Sequence, residues 1–292
     1  TTTHLGKYLQ SRVCGIRPQA PGIHCSGETD MNWKLNRDTL APWVATILLF
    51  GSWEAMVWVT GVDESVLPAP SAVINALFEF WGPIWMHTQQ TLYTTLVGFA
   101  IAIVFGMGLG LVTGASPLLY RAIYPLLIGF NAIPKVAIVP VLVIWFSIGT
   151  IPAIITAFLI SFFPIAVNVA TGIATLEPEL QDVLRSLGAR KSDILFKVGV
   201  PRSLPYFFAS LKISITLAFV GSVISETVAS NAGIGYLMLQ AYSSFRVPLM
   251  FAGLLAIAVI AIIMYGIAVW IEQRLTGWSV RGTENTTFTG GG

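Results

Sequence analysis

The chain has 292 residues, of which 55% are hydrophobic and 10% are charged, and its formal net charge at pH 7 is +2. A soluble domain carries roughly 25% charged residues, so this chain lacks the polar exterior that contact with water requires. The composition indicates a protein embedded in membrane lipid. The small net charge, without an extended basic patch, excludes a nucleic-acid-binding protein.

Residues 1–30 differ from everything that follows them. They are polar, contain Gly and Pro, show no helical periodicity and lack the apolar segment of a signal peptide. Both cysteines, Cys14 and Cys25, lie in this stretch, and their spacing matches no zinc pattern, so we expect no metal site. We predict that residues 1–30 are a polar leader, disordered or non-native, and that Met31 is a native start.

Six apolar stretches have the length of about 20 residues that an α-helix needs to cross a bilayer. Approximately, they cover residues 41–60, 91–113, 122–145, 152–174, 205–229 and 248–271. A seventh stretch, 71–85, is shorter and contains Glu79, which predicts an interfacial helix that does not span. The sequence therefore predicts an all-α membrane protein with about six transmembrane helices at residues 31–278, followed by a polar tail at 279–292.

Positive charge is concentrated on one side of these spans. The basic residues on that side are Lys34, Arg37, Arg121, Arg185, Arg190, Lys191, Lys197, Arg202, Arg274 and Arg281. The opposite loops contain Arg246 together with Asp63, Glu64 and Glu79. Because cytoplasmic loops carry the excess of Lys and Arg, we expect both termini to lie in the cytoplasm.

The segment 176–204 is too polar for the bilayer and lies on the basic side. Its apolar residues at helical spacing are Leu180, Val183, Leu184 and Leu187. Gly188 follows them and can end a helix in the left-handed conformation. We predict a short amphipathic helix whose apolar stripe enters a groove of a soluble cytoplasmic partner. The alternative is a helix that lies on its own membrane domain.

This segment resembles the hallmark loop of the permeases of binding-protein-dependent ABC importers, which reads Glu-Ala-Ala, three residues, Gly, nine residues and Ile-x-Leu-Pro. The matching residues are Asp182, Val183, Leu184, Gly188, Val198, Val200 and Pro201. Asp keeps the charge of Glu, whereas Val and Leu are larger than the two alanines. The resemblance implies that these residues, together with Leu187, couple the permease to an ATPase subunit.

Three further stretches are similar to the nitrate, sulfonate and taurine branch of that family. They are VLPAPSAV at 66–73, IPKVAIVPVLVIWFSIG at 133–149 and GIGYLM at 233–238. The resemblance covers about residues 66–278 and implies the type I ABC importer permease fold in a bacterial inner membrane. It also implies a homodimer, two cytoplasmic ATPase subunits that bind the ATP and Mg, and an external solute-binding protein. This chain itself is expected to bind no cofactor, and its solute to be a nitrate-, sulfonate- or taurine-like anion or a related small organic solute.

Four residues inside the spans are candidates for the translocation path or its gate: Pro134, Lys135, Asn168 and Glu226. Pro134 and Pro140 each remove a backbone donor from the third span, which predicts a kink. Lys135, near mid-span, either faces a watery cavity or makes a structural ion pair or a snorkelling contact. Asn168 either lines a polar path or bonds between helices. Glu226, near the outer end of the fifth span, is either solvated or bonded to the neighbouring loop.

A stripe of small residues marks the second span. Gly106, Gly110 and Gly114 recur at every fourth residue, on one face of the helix. Small residues at this spacing let a second helix approach closely. We therefore predict a helix-packing face here.

The sequence contains none of the common catalytic motifs. It has no Gly-x4-Gly-Lys-Ser/Thr phosphate loop, no HExxH and no GxSxG. We therefore predict a non-catalytic subunit, with ATP hydrolysis on a separate chain. The alternative function is an ion-gradient-driven secondary transporter or channel. Against it stand the absence of a detectable inverted repeat, the few acids within the spans, and a docking helix that such a carrier does not need.

Overall fold

The computed structural model describes residues 29–175 and 178–284, and within these ranges every regular element is helical. Residues 1–28 and 285–292, which hold most of the predicted leader and part of the predicted tail, lie outside the described residues. Residues 176–177 of the polar loop also lie outside them. Residues 279–284 continue the last helix.

The described helices are α1 Thr29–Thr60, α2 Pro70–Glu79, α3 Trp81–Gly114, α4 Pro117–Ala132, α5 Val139–Phe146, α6 Thr150–Ala174, α7 Pro178–Ser186, α8 Lys191–Ile194, α9 Val200–Ala229, α10 Ile234–Ser243 and α11 Val247–Glu284. A 3-10 turn, Lys135–Ile138, precedes α5, and a π-helical turn, Leu195–Gly199, joins α8 to α9. Five helices are long and apolar enough to cross a membrane, and α4 with α5 makes a sixth if the bent pair counts as one span. The predicted number of about six spans is confirmed.

The predicted interfacial helix at 71–85 is wrong in its second half. Helix α2 ends at Glu79, and α3 begins at Trp81, ten residues before the predicted start of the second span. Gly82 and Pro83 occupy the first turn of α3, where backbone N–H groups have no intrahelical partner. Proline is therefore tolerated there and does not stop the helix.

The start of the fifth span also differs from the prediction. Pro205, expected to open it, lies inside α9, which begins at Val200. Pro201 occupies the first turn, where no intrahelical donor is needed, and Pro205 removes a single hydrogen bond from the second turn. The polar loop therefore runs into the fifth span without a break in helical structure.

The described chain divides between Met56 and Val57 into two compact units. The first unit contains most of α1. The second begins with the last turn of α1 and contains α2 to α11.

The centre of the second unit is formed by α3, α6 and α9. A β-carbon built on Gly110 would lie 2.6 Å from Cβ of Val169, and one built on Gly114 would lie 2.7 Å from Cβ of Ile173. Gly106 makes the same kind of approach to α6. The glycine stripe of the second span is therefore a helix-packing face, as predicted, and α6 is its partner.

A second apolar cluster packs α2, the start of α3, α10 and α11 together. Its buried members are Val73, Ala76, Ile84, Leu237, Ala241, Leu249 and Ala252. This cluster holds α10, which carries the GIGYLM stretch, against the ends of the spans opposite the polar loop.

Candidate functional site

The polar loop begins with helix α7, which ends in a Schellman motif. Gly188 has a φ of +82°. Its N–H donates to the carbonyl of Arg185 at 2.9 Å, and the N–H of Ala189 donates to the carbonyl of Leu184 at 3.0 Å. This is the bonding pattern of a helix ended by a left-handed glycine, so the predicted helix stop at Gly188 is confirmed.

The apolar residues of α7 are divided between an open surface and a groove. Val183 is 56% exposed and Leu187 is 78% exposed. Leu184 is half-buried and lines a groove of about 260 Å³ whose far wall is formed by Ile194 and Val198. Leu187 and Gly188 also line this groove, so the structure brings four of the predicted coupling residues together.

The remaining predicted coupling residues lie just before and just after the groove-lining residues in the sequence. Asp182 is exposed and pairs with Arg185 at 3.4 Å. Val200 and Pro201 are half-buried in the first turn of α9. The N–H of Val200 donates to the carbonyl of Leu195, five residues earlier, which is the wide turn that connects the loop to the fifth span.

A second cavity, of about 250 Å³, lies between the polar loop and the connection of α3 to α4. Ser116 and Pro117, in the connection between α3 and α4, line one side of it. Gln181, Arg185 and Leu195 of the polar loop line the other. The connection before Arg121 and the polar loop, which carries five basic residues, therefore lie at the same end of the second unit.

The third span is broken where proline was expected to kink it. Helices α4 and α5 meet at an angle of 76°, and Pro134 lies in the break. Pro140 occupies the first turn of α5, where a missing N–H costs no helical hydrogen bond. The kink prediction is confirmed at Pro134.

Lys135 lies at this break, in the middle of the membrane-spanning part. Its Nζ donates to the carbonyl of Asn131 at 2.5 Å and to Oδ1 of the same residue at 2.8 Å, and it lies 5.0 Å from the ring centroid of Phe163. Phe163 is near the middle of the 25-residue helix α6. A lysine at this depth costs about 2.5 to 3.5 kcal/mol on insertion scales. Among the described residues no carboxylate lies within ion-pair distance of it, so the predicted ion-pair alternative is wrong there.

Asn168 bonds within its own helix. Its Nδ2 donates to the carbonyl of Pro164 at 2.8 Å, and the side chain is half-buried. The alternative that it bonds between helices is therefore wrong in this structure. That Asn168 lines a polar path stays a prediction.

Glu226 lies near the outer end of α9, and its side chain is 1% exposed. Its carboxylate accepts hydrogen bonds from the Thr91 hydroxyl at 2.7 Å, the Thr94 hydroxyl at 3.2 Å and the Gly235 N–H at 3.2 Å. Ser222 donates a longer one at 3.4 Å and also hydrogen-bonds the Thr94 hydroxyl. The prediction that Glu226 bonds to the neighbouring loop is confirmed, and the alternative that it is solvated is wrong.

The same cluster supplies partners for the N-terminus of α10. The Gly233 N–H donates to Nδ1 of His87 at 3.1 Å, and the Ile234 N–H donates to the Thr91 hydroxyl at 2.8 Å. With the Gly235 bond to Glu226, three successive N–H groups at the start of α10 are satisfied by buried side chains of α3 and α9. We call Glu226, Thr91, Thr94, Ser222 and His87 the outer polar cluster.

Sequence reasoning missed most of this cluster, although a signal was present. Thr91, Thr94 and Thr95 lie on one face of α3, and all three are buried. Hydroxyls at this spacing in a membrane helix indicate a polar contact with another helix. It also missed the ion pair in which Lys212 of α9 donates to Glu272 of α11 at 2.7 Å.

Comparison with known proteins identifies the family. The family described as "Binding-protein-dependent transport system inner membrane component" matches residues 102–277, which is more than half of the chain. The riboflavin transport system permease protein RibX of Chloroflexus aurantiacus is 33% identical over 80% of this chain and 88% of its own. The taurine transport system permease protein TauC of Escherichia coli is 26% identical over 84% of this chain and 92% of its own.

The fold is also similar to that of a solved transporter chain. A chain of the MetNI methionine ABC transporter, from a structure of its inward-facing conformations, aligns with a TM-score of 0.55 and 19% identity. The alignment covers 66% of this chain and 94% of that one. The predicted fold class, an all-α membrane protein with the type I ABC importer permease fold, is confirmed, and so is the predicted likeness to the sulfonate and taurine branch. The chain belongs to the family of binding-protein-dependent transport system inner membrane components and is the multi-pass permease subunit of an ABC importer.

Proposed function

We propose that α7 and the groove beside it are the surface through which this permease is coupled to an ATPase subunit. The residues involved are Asp182, Val183, Leu184, Leu187, Gly188, Val198, Val200 and Pro201. The observation that carries the proposal is the exposure of Val183 and Leu187 on a helix that lies outside the spans. Exposed apolar side chains of this size on a short helix are the anchors of helix-in-groove recognition.

The connection of this surface to the spans supports a mechanical role. The chain runs from α7 through the Gly188 turn, α8 and the π turn directly into α9. Two ATPase subunits, which bind the ATP and Mg, approach each other and move the helices seated on them. The movement reaches α9 as a rigid-body shift and changes the side to which the solute cavity opens.

We further propose that the permease acts as a homodimer in the inner membrane, with both termini in the cytoplasm. The permease domain is assigned to residues 31–278, with a leader at 1–30 and a tail at 279–292. The translocation path includes Pro134, Lys135 and Asn168. Glu226 belongs to its outer gate, because its carboxylate accepts a hydrogen bond from the Gly235 N–H in the first turn of α10. A solute-binding protein delivers the solute from outside.

The relatives support a small solute rather than a macromolecule. One is a riboflavin permease and another a taurine permease by name. We propose for this chain a nitrate-, sulfonate- or taurine-like anion or a related small organic solute.

The coupling surface is tested by binding of the ATPase subunit of the same importer. Leu187→Asp and Val183→Asp each place a charge in the proposed contact without disturbing a buried residue, so co-purification of the ATPase in detergent is expected to fall by tenfold or more, roughly the effect of 1.4 kcal/mol. Phe245→Asp is the matched control, because Phe245 is 82% exposed at the opposite end of the second unit. Wild-type co-purification with both α7 variants would show that the ATPase binds elsewhere.

A further inference from the structure

We propose that His87 is a pH-sensitive latch for helix α10, in which the neutral imidazole holds the start of the helix and protonation releases it. The contact lies at the end of the second unit opposite the polar loop. The inference rests on the proposed orientation, which places that end outside the cell. It goes beyond the proposed function, because it adds regulation by external acidity and assigns a residue that the translocation proposal does not use.

The hydrogen bond between Gly233 and His87 fixes the charge of the imidazole. The Gly233 N–H donates to Nδ1 of His87 at 3.1 Å. A backbone N–H can only donate, so Nδ1 accepts with its lone pair and the ring proton is on Nε2. An imidazolium carries a proton on both nitrogens and has no acceptor to offer. The described position of α10 therefore requires a neutral His87.

This hydrogen bond is one of three that satisfy the first N–H groups of α10. Those groups have no intrahelical partner, because they belong to the start of a helix. The N–H groups of residues 233–235 donate instead to His87, Thr91 and Glu226, and all three donors are buried. Loss of one acceptor leaves a buried N–H without a partner, which destabilises the attachment of α10 to α3 and α9.

Protonation of His87 opposes this attachment in two ways. The new proton on Nδ1 would face the Gly233 N–H, so that two donors point at each other. In addition, the start of α10 is the positive end of its helix dipole, where a positive charge is unfavourable. Both effects favour separation of His87 from the start of α10.

The charged and titratable groups around His87 do not offer it a way to keep this contact. Glu226 of α9 also contacts Gly233, and the Tyr236 ring of α10 lies 5.8 Å from the imidazole. Helix α6 has no charged residue, and Glu79 and Arg246 are exposed. Within the described residues no ion pair joins His87 to any of these groups. An imidazolium that turned toward the Glu226 carboxylate would still leave the Gly233 N–H without an acceptor.

His87 lies where protons from the outer solution can reach it. Helix α3 has 34 residues, which is about 51 Å, whereas the hydrocarbon core of a bilayer is about 30 Å thick. His87 is about 9 Å from the first residue of this helix, so it lies near the aqueous edge of the membrane. Its side chain is 8% exposed, against 1% for Glu226. Histidine is also the side chain that ordinarily changes charge between about pH 5 and 8.

The test measures hydrogen exchange of residues 233–235 in the full permease, held in phosphatidylcholine nanodiscs. Both faces of a nanodisc meet the same buffer, so the result does not depend on orientation. Protection is the exchange rate of an unstructured peptide divided by the observed rate at the same pH. Between about pH 8 and about pH 5 we expect protection of these amides to fall by roughly tenfold or more, as a buried hydrogen bond is lost. Residues 106–110 of α3 are the reference and should not change.

Two substitutions at position 87 separate the hydrogen bond from the charge. In His87→Asn the amide oxygen takes the place of Nδ1 and does not titrate, so protection is expected to stay high at both pH values. In His87→Gln the oxygen lies one bond further along the side chain, so protection is expected to be low at both. A pH response confined to the wild type assigns it to the imidazole.

Nitrogen NMR of the imidazole measures the protonation directly. His4→Gln and His24→Gln leave His87 as the only histidine. We expect an unprotonated Nδ1 at about pH 8 and protons on both ring nitrogens at about pH 5, over the same pH range in which protection is lost.

Three outcomes overturn the proposal. They are unchanged protection in the wild type, a protonated Nδ1 at about pH 8, or a pH response that persists in His87→Asn, which would assign it to another group such as Glu226. None of these readouts depends on ATP hydrolysis, on ATPase binding or on orientation in the membrane. A failed ATPase docking test would therefore leave the exchange result interpretable, and a failed exchange test would leave the docking proposal intact.

Discussion

Gly233 lies directly against the carboxyl group of Glu226. A β-carbon built on the glycine would overlap the carboxyl carbon and both of its oxygens. Gly233 also has a φ of +103°, a conformation that side-chain-bearing residues rarely adopt. The outer polar cluster therefore requires glycine at this position for two independent reasons.

Gly233→Ala is expected to destabilise the protein by about 2 to 4 kcal/mol, the combined effect of overpacking and backbone strain. The measurement is thermal unfolding of the detergent-solubilised protein, with hydrogen exchange of residues 230–236 to localise the change. Gly266→Ala is the control, because a β-carbon there meets nothing within 4 Å. Equal unfolding temperatures for the two variants would contradict the packing described for Glu226.

The packing of α3 on α6 can be tested with two glycines two residues apart. Gly110→Ala places a methyl group 2.6 Å from Cβ of Val169 and is expected to cost about 1 to 3 kcal/mol. Gly108→Ala meets nothing within 4 Å, and alanine is the better helix former by up to about 1 kcal/mol, so this variant is expected to be neutral or slightly stabilised. Thermal unfolding in the same detergent compares them. The reverse order of stability would show that α6 does not pack on this stripe.

Substitutions at Gly188 test the effect of backbone strain without the effect of side-chain crowding. A β-carbon at this position meets nothing within 4 Å, so only the φ of +82° opposes a substitution. Gly188→Val is expected to misdirect α7 with about 1 to 3 kcal/mol of strain and to reduce ATPase binding by about 5- to 150-fold. Gly188→Asn is the matched control, since Asn tolerates the left-handed conformation. Both variants should remain folded, because the strained turn lies outside the spans, and equal ATPase binding by both would contradict the role of the turn.

The orientation in the membrane is tested by thiol accessibility in intact cells. In a background with Cys14→Ser and Cys25→Ser, single cysteines at Ser71 and Ser243 are expected to react with an impermeant thiol reagent from outside. A cysteine at Ser186, on α7, should react only after the membrane is opened. All three positions are exposed, so burial does not account for a difference. External labelling at position 186 would reverse the predicted topology.

Local features of this protein could be predicted from the sequence because they depend on neighbouring residues. Gly188 ends α7 because the stop residue and the hydrogen bonds that satisfy the last carbonyls of the helix all lie within six residues, 184–189. The kink at Pro134 and the glycine stripe of α3 could be predicted for the same reason, because each depends on the residues of a single segment. The predicted start of the fifth span at Pro205 is wrong because a proline alone does not indicate whether the residue falls early in a helix or ahead of it.

The outer polar cluster could not be predicted in the same way. Thr91 and Glu226 are 135 positions apart, and their contact depends on how α3 and α9 face each other. One sequence does not contain that information, although buried hydroxyls on α3 indicate that some polar partner exists. The contact of Lys135 with the Phe163 ring has the same character, since it depends on how the third span packs against α6.

Helix α9 is tied to its neighbours at two points along its length. Lys212, twelve residues after the first residue of the helix, binds Glu272 of α11, and Glu226, near its last residue, binds Thr91 of α3. Glu226 lies about 40 Å along the helix from its first residue, at 1.5 Å per residue. A tilt of about 5° that pivots at the inner end would displace Glu226 by about 3.5 Å, more than a hydrogen bond can stretch. A small angular change at the polar loop therefore has one of two results. Either it breaks the hydrogen bonds that join Glu226 to α3 and α10, or it moves α3 and α6 together with α9 as a rigid body.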